Sequence, residues 1–224
     1  MQTITTGDPM GMFTNVVSRA QQHFPGITIK FKDESLLMKV IDKVVFFNGD
    51  FMNFTTTFGS TVYLPSAAKL KTSPVSFTII FMHEVAHIYE NSKNGILFKL
   101  LYLFPQVLAL LAIPAFFLFH WYIALAFLLF LLPIPAYFRM REERRAYTMS
   151  LYVMNRLNNT SNFHIDLEKH RDVFIDNFLD SSYYYMWPFP GIKDHFNNSL
   201  GEIKAGGRPD SDSNLYEIID NILE

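Results

Sequence analysis

Residues 96–138 read ILFKLLYLFPQVLALLAIPAFFLFHWYIALAFLLFLLPIPAYF. The only ionic side chain in the run is Lys99, and Gln106 and His120 are its other conspicuous polar groups. As one straight helix it would be about 64 Å long at 1.5 Å per residue. A single crossing of about 30 Å of hydrocarbon takes only about 20 residues. Two spans fit, Ile96–Phe119 and Trp121–Phe138, with a turn at Phe119-His120-Trp121-Tyr122, where amphipathic aromatics suit a membrane interface. Pro114, Pro133 and Pro135 are candidate kinks. The alternative is a hairpin buried in a soluble core. Lys93 and Lys99 precede the run, Arg139, Arg141, Arg144 and Arg145 follow it, and the turn has no Lys or Arg. Under the positive-inside rule both flanks are expected in the cytoplasm. Two crossings return the chain to its starting side, so segments before Ile96 can meet segments after Phe138.

Working outward, the 224 residues (26.0 kDa) are 50% hydrophobic and 18% charged, with mean hydropathy +0.12. That balance excludes a disordered or collagen-like chain. Nineteen Lys and Arg face 21 Asp and Glu, a formal charge of -2, so no basic excess points to a nucleic-acid partner. Cysteine is absent, which excludes disulfides, thiolate metal ligands and cysteine nucleophiles together. A metal site must be built from His and carboxylate. Residues 1–12, MQTITTGDPMGM, do not have the basic-then-apolar order of a signal peptide.

Residues 13–24 predict a short amphipathic helix closed by Pro25-Gly26. Ile27–Phe31, Lys43–Phe47, Phe51–Thr57 and Thr61–Leu64 read as strands of a small antiparallel sheet, with Asn48-Gly49-Asp50 as a turn. Ser73-Pro74 opens a helix that the Asn94-Gly95 pair should stop. Further helices are expected from about Arg139 to Leu157 and over 165–180. Asn158–Asn162 and the aromatic stretch Ser181–Pro190 (SSYYYMWPFP) are expected as loops and Gly201–Asn214 as a linker. Leu215, Ile218, Ile219, Ile222 and Leu223 mark a terminal amphipathic helix.

The chemistry lies in His83-Glu84-Val85-Ala86-His87. On a helix, positions i and i+4 share a face, so both imidazoles can bind one Zn²⁺ while Glu84 acts on the metal's water. The other reading is two histidines packed on an ordinary amphipathic helix. A catalytic zinc needs a third protein ligand. Arg141-Glu142-Glu143-Arg144-Arg145-Ala146-Tyr147 offers two carboxylates just after the apolar run, although the same segment also reads as a solvated charge cluster flanking a membrane span. Helical phase leaves Glu142 and Glu143 both open, since each shares a largely apolar stripe. Tyr147, His164, His170, Tyr183, Tyr184, Tyr185 and His195 are candidates for stabilising an oxyanion.

An HExxH helix, a membrane hairpin and a helix carrying Glu-x-x-Ala together resemble the HtpX and CaaX-prenyl-protease group of integral membrane gluzincins. Asn53–Pro65 (NFTTTFGSTVYLP) also resembles the strand that precedes the zinc helix in such enzymes. The resemblance covers about residues 50–155. It implies zinc endopeptidase activity, with His83, His87 and Glu143 as ligands and Glu84 as general base. It also implies an edge strand at Thr61, Val62 and Tyr63 along which an extended substrate pairs. Where the group usually has Asp after the Ala, this chain has Tyr147.

The expected fold is therefore an α+β integral membrane protein. A small antiparallel sheet and zincin-type helices are interrupted by a two-helix transmembrane hairpin. The expected divisions are 1–95 (sheet and HExxH helix), 96–138 (hairpin), 139–200 (third-ligand helix) and 201–224 (linker and terminal helix). The expected activity is zinc-dependent hydrolysis of peptide bonds in membrane or unfolded proteins near the cytoplasmic face. Its partners would be protein or peptide substrates and the lipid bilayer. A membrane-anchored scaffold with a structural or degenerate zinc site is the competing expectation.

Overall fold

The computed structural model describes residues 8–44, 51–132, 134–161, 163–179, 189–209 and 212–224. It is a mostly helical α+β fold with one three-stranded sheet. In chain order the elements are α1 (Pro9–His23), β1 (Thr28–Phe31), α2 (Leu36–Val44), β2 (Thr56–Phe58), β3 (Thr61–Leu64), α3 (Ala67–Thr72) and α4 (Pro74–Tyr102). There follow α5 (Ala112–Leu118), α6 (Trp121–Leu128), α7 (Tyr137–Thr160), α8 (Leu167–Leu179), α9 (Ile192–Lys204) and α10 (Ser213–Leu223). The chain forms two compact units, the first from residues 1–89, 153–164 and 210–224, the second from 90–152 and 165–209.

The first unit contains the sheet. Helix α1 is capped by Asp8, whose carboxylate accepts from Met10 N at 3.0 Å, and Pro9 fits the first helical turn, where its missing N–H costs nothing. Its buried face is Met12, Phe13, Val16 and Ala20, and the Phe13 ring meets Phe81 edge-on at 6.1 Å. The strand order is β1-β3-β2, with β1 parallel and β2 antiparallel to β3. The sheet is thus mixed rather than antiparallel. Gly59, at φ 66, takes the left-handed turn between β2 and β3 that a side chain would disfavour.

The segment expected as a strand at Lys43–Phe47 is instead helical through Val44 in α2, and residues 45–47 lie outside the described set, as does the expected turn at 48–50. Ser35 starts that helix, accepting from Met38 N at 3.4 Å, and Met38 turns into the core. Leu36, Val40 and Val44 recur at helical rather than strand spacing. Part of the expected strand Phe51–Thr57 is likewise a short 3-10 turn, Phe51–Asn53.

Helix α10 is built into this unit. Leu215, Tyr216, Ile219 and Ile222 are buried, and α10 packs on α1. Asp212 caps it and also accepts from the Tyr89 hydroxyl at 3.0 Å. Arg156 pairs with Asp220 at 3.1 Å, and Arg19 donates to Asn221 O at 3.4 Å.

In the second unit, α8 and α9 pack through aromatic rings, Phe178 meeting Phe196 at 5.5 Å between centroids. Residues 201–204, expected as linker, close α9. Its stripe of Ile192, Phe196, Ser199, Leu200 and Ile203 is buried at helical spacing. The expected loop at 181–190 lies almost wholly outside the described residues.

The apolar run forms a hairpin of shorter pieces. A 3-10 turn (Gln106–Leu111) leads into α5, the chain reverses at Phe119-His120, and α6 returns into a 3-10 turn at Leu129–Leu131. Helix α6 packs on α5. The contact is made by Ala112, Ala115 and Ala124, with Ile123 and Phe127 against them, while Phe116, Phe117, Leu118 and Trp121 point outward, Phe117 being 78% exposed. Gln106 ties the base by donating to Ile134 O at 3.1 Å. The first expected span is broken where Pro105 withdraws a backbone N–H, and the second is regular only through Leu131. Among the described residues no single helix is long and apolar enough to cross a membrane. One pair, Pro74–Tyr102 with Gln106–Leu118, bent by 71°, qualifies by length and composition alone.

Replacing Ile219 by Ala should destabilise the protein by about 2–5 kcal/mol, because it empties fully buried volume. A thermal melt in detergent checks it, and an unchanged midpoint would mean that α10 does not belong to the core.

Candidate metal centre

Helix α4 begins where expected. Ser73 O receives the Phe77 N–H at 3.1 Å and Thr78 Oγ1 donates to Pro74 O at 3.0 Å. The expected stop at Asn94-Gly95 appears as a break rather than an end. Gly95 leaves helical geometry at φ 54 and ψ -125, and helix resumes to Tyr102. Before the break, Phe77, Phe81, Met82, Val85, Ala86, Ile88 and Tyr89 are all buried, so the helix is enclosed on most of its circumference. Polar groups in such a helix need a purpose or a partner.

His83 and Glu84 are each only 9% exposed. His83 and His87 present Nε2 to Nε2 at 3.2 Å, with rings inclined at 74°. Two imidazole nitrogens on one tetrahedral zinc, each about 2.0–2.1 Å from it, stand about 3.3 Å apart. The pair therefore has the spacing that a shared metal requires.

On α7, Glu142 and Glu143 are both buried but differently engaged. Glu142 Oε1 accepts from Arg141 Nε at 2.9 Å and from its NH2 group at 2.6 Å. Glu143 Oε1 accepts from the Tyr102 hydroxyl. Arg139 braces that tyrosine, donating to Tyr102 O at 3.2 Å and lying 5.0 Å from its ring centroid. Ala146, one turn beyond Glu143, is 1% exposed. Glu90, three residues past His87, pairs with Arg145 and accepts from Asn94 Nδ2 at 3.1 Å.

His83, His87 and Glu143 form a group able to hold a metal ion, each offering one ligand atom within 4.8 Å of the others. Two imidazoles and a carboxylate are a donor set suited to zinc, and a catalytic zinc takes three protein ligands with a fourth position for water. This is the HExxH…Glu pattern of a zincin-like site.

The expected substrate strand needs correction. Thr61, Val62 and Tyr63 lie in β3, the centre of the sheet, paired with Thr28–Lys30 on one side and Thr56–Phe58 on the other. A peptide has no free main-chain edge there, and among the described residues β1 and β2 are the outer strands. Of the oxyanion candidates, Tyr147 packs its ring against Phe174 and Phe178, with centroids at 4.5 and 5.6 Å. His195 Nε2 meets Thr148 Oγ1 at 2.9 Å, His170 Nδ1 meets Asp166 O at 2.7 Å, and His164 is exposed. Tyr183, Tyr184 and Tyr185 lie outside the described residues.

One contributor, Tyr102, was not anticipated, and one buried charge, Lys32, lies outside the metal group. Tyr102 sits inside a stretch that reads as membrane-spanning, and its hydroxyl in that apolar run was the available signal. Lys32, after β1, is fully buried. Its Nζ donates to Phe51 O at 2.7 Å and stands 3.7 Å from that ring's centroid. Burial pushes its pKa down from 10.5 to about 8, against the opposing pull of the Glu84 and Asp42 charges.

No protein-family model, curated protein or solved structure matches this chain.

Metal analysis of purified protein should find about one zinc per chain in the wild type. Little should remain in His83→Ala or Glu143→Ala, and full occupancy is expected in Glu142→Ala. Tyr102→Phe should keep the site but weaken zinc binding about 10–100-fold, the usual cost of losing a hydrogen bond to a ligand. Retention of zinc by Glu143→Ala would remove that residue from the ligand set.

Proposed function

We propose that this protein is a membrane-associated zinc-dependent endopeptidase. The observation that carries the reading is the group of His83, His87 and Glu143 on two helices, with Glu84 beside the first histidine on the same buried helix. Among the described residues three ligands group there, one short of the four with which structural zinc sites close, which favours a catalytic over a structural ion.

When bound, the metal supplies Lewis acidity toward a peptide carbonyl and acidifies water. His83, His87 and Glu143 hold it, and the Tyr102 hydroxyl fixes the orientation of Glu143. Glu84 takes a proton from the attacking water and returns it to the leaving amine as the C–N bond breaks. A carboxylate suits both transfers because it can accept and then release the same proton without moving.

The membrane part of the proposal is supported by the hairpin's inverted packing. Small alanines fill the helix contact and large Phe, Leu and Trp side chains face outward. That order suits a lipid environment, where close backbone approach comes from small residues and apolar bulk meets acyl chains. Basic residues stand at both bases of the hairpin, which the positive-inside rule assigns to the cytoplasm, so the substrates would be membrane or unfolded proteins at that face.

Zinc-loaded protein in detergent should cleave a flexible chain such as casein. Glu84→Gln should lower kcat by about 10²–10⁴-fold while keeping its zinc. Undiminished cleavage by Glu84→Gln would refute the mechanism, and an inactive wild type with full zinc would instead support a scaffold.

A further inference from the structure

The hairpin of the second unit is short for a pair of membrane spans. Its first arm is six residues of 3-10 turn, Gln106–Leu111, followed by the seven of α5. Its second arm is the eight residues of α6 followed by three of 3-10 turn, Leu129–Leu131. At 1.5 Å per residue of α-helix and about 2.0 Å per residue of 3-10 helix, the arms are about 22 Å and about 18 Å long. Both fall short of an ordinary hydrocarbon layer by about 8–12 Å. Any tilt shortens their reach further.

Neither arm gains length at its base. The chain turns by 71° between α4 and Gln106–Leu118, so Ile96, Leu97 and Leu100, although exposed, do not continue the line of the first arm. Leu132 leaves helical geometry at φ -66 and ψ 161 and ends the second. Two hydrogen bonds tie the bases together, Gln106 Nε2 to Ile134 O at 3.1 Å and Arg139 Nε to Tyr102 O at 3.2 Å. Charged residues stand just outside these ties, Lys99 before the first arm and Arg139 and Arg141 after the second. They mark the level at which hydrocarbon gives way to headgroups.

The tip marks a second such level. The His120 ring stacks on Tyr122 with centroids at 5.2 Å, Trp121 meets the same tyrosine at 6.2 Å, and all three side chains are exposed. Amphipathic rings collect where lipid meets water. His120 caps α6 without a side-chain hydrogen bond, so the first N–H groups of α6 need water or headgroups, which the middle of a bilayer does not offer. Between Lys99 and Arg139 no residue is charged.

We propose that the hairpin is built to span a thin bilayer, one whose hydrocarbon is about 20 Å deep where an ordinary one is about 30 Å. The proposal rests on the membrane part of the reading above and deepens it by naming the kind of lipid layer that fits. Polar groups at the base and at the tip fix where hydrocarbon has to end, and the arms between them are packed along Ala112, Ala115 and Ala124. Lipid of ordinary thickness has either to thin around the hairpin or to draw its tip inward, and mismatch of this kind sorts proteins among membranes. The base also carries Tyr102, whose hydroxyl donates to Glu143, so the seat in lipid and the orientation of that carboxylate share one anchor.

The test uses the full-length chain in phosphatidylcholine vesicles of graded monounsaturated chain length, from fourteen to twenty-two carbons. A maleimide that does not cross lipid is supplied on both sides. The chain has no cysteine, so His120→Cys gives a single thiol at the tip and Lys99→Cys a single thiol at the base. The tip thiol should react about 10-fold or more faster in the shortest lipid than in the longest, and the base thiol at one rate throughout. One helical turn of leucine and alanine added to each arm should move the fall to longer chains. In Trp187→Phe, where Trp121 is the sole tryptophan, emission should shift to the blue as the lipid lengthens. A tip rate equal in all lipids, as for arms of ordinary reach or a hairpin covered by a second copy, overturns the proposal. A tip thiol protected in every lipid means that the hairpin enters and returns without crossing, and overturns it too. Protein that stays outside the vesicles overturns the proposal together with the membrane reading. None of these outcomes depends on zinc or cleavage, so an inactive wild type sinks the endopeptidase reading alone.

Discussion

Everything in the candidate site depends on two imidazole nitrogens held 3.2 Å apart on a helix that is buried on most sides. Helical geometry alone places residues four apart on one face. What fixes the rings is the enclosure of the helix by Phe81, Met82 and Val85, each with no exposed surface. Placing imidazoles and carboxylates in such a setting costs free energy unless they are satisfied. The surrounding hydrogen bonds, from Tyr102 to Glu143 and between Glu90, Asn94 and Arg145, belong to that requirement. The site is polar by exception within an apolar frame.

The parts legible in the sequence are those written in local patterns. HEVAH named the helix and its metal-binding face. Asn94-Gly95 marked the interruption of α4, although the chain resumes helix after one left-handed residue. The reversal at Phe119-His120 and the apolar face of α10 were equally plain. Strand order was not legible, because β1 pairs with β3 across a connection that contains α2 and β2, and pairing partners far apart in sequence leave no periodic trace. That is why Thr61–Tyr63 looked like an edge and is a centre. Helix α9 was obscured by its polar half and by the glycines that follow it.

Tyr102 and Lys32 show a different limit. Each lies in a segment whose average character is decided by other residues, an apolar run for one and an alternating strand for the other. Their settings come from what three-dimensional packing puts beside them. Glu142 and Glu143 could not be separated by phase for the same reason, since both stripes of α7 are largely apolar. The neighbour that distinguishes them is Arg141, which takes Glu142 into an ion pair at 2.6 Å.

The packing of α10 on α1 has a consequence for biosynthesis. The apolar face of α1, with Phe13 and Val16, is made long before Ile219 and Ile222, which pack in the same unit. Between them the whole hairpin emerges, with its phenylalanines outward. The nascent chain therefore commits its greasiest segment to an environment before the unit that carries HEVAH can close. Closure of the unit that carries HEVAH thus waits for α10, and a chain that stops before α10 keeps its hairpin but never completes the core behind the histidines.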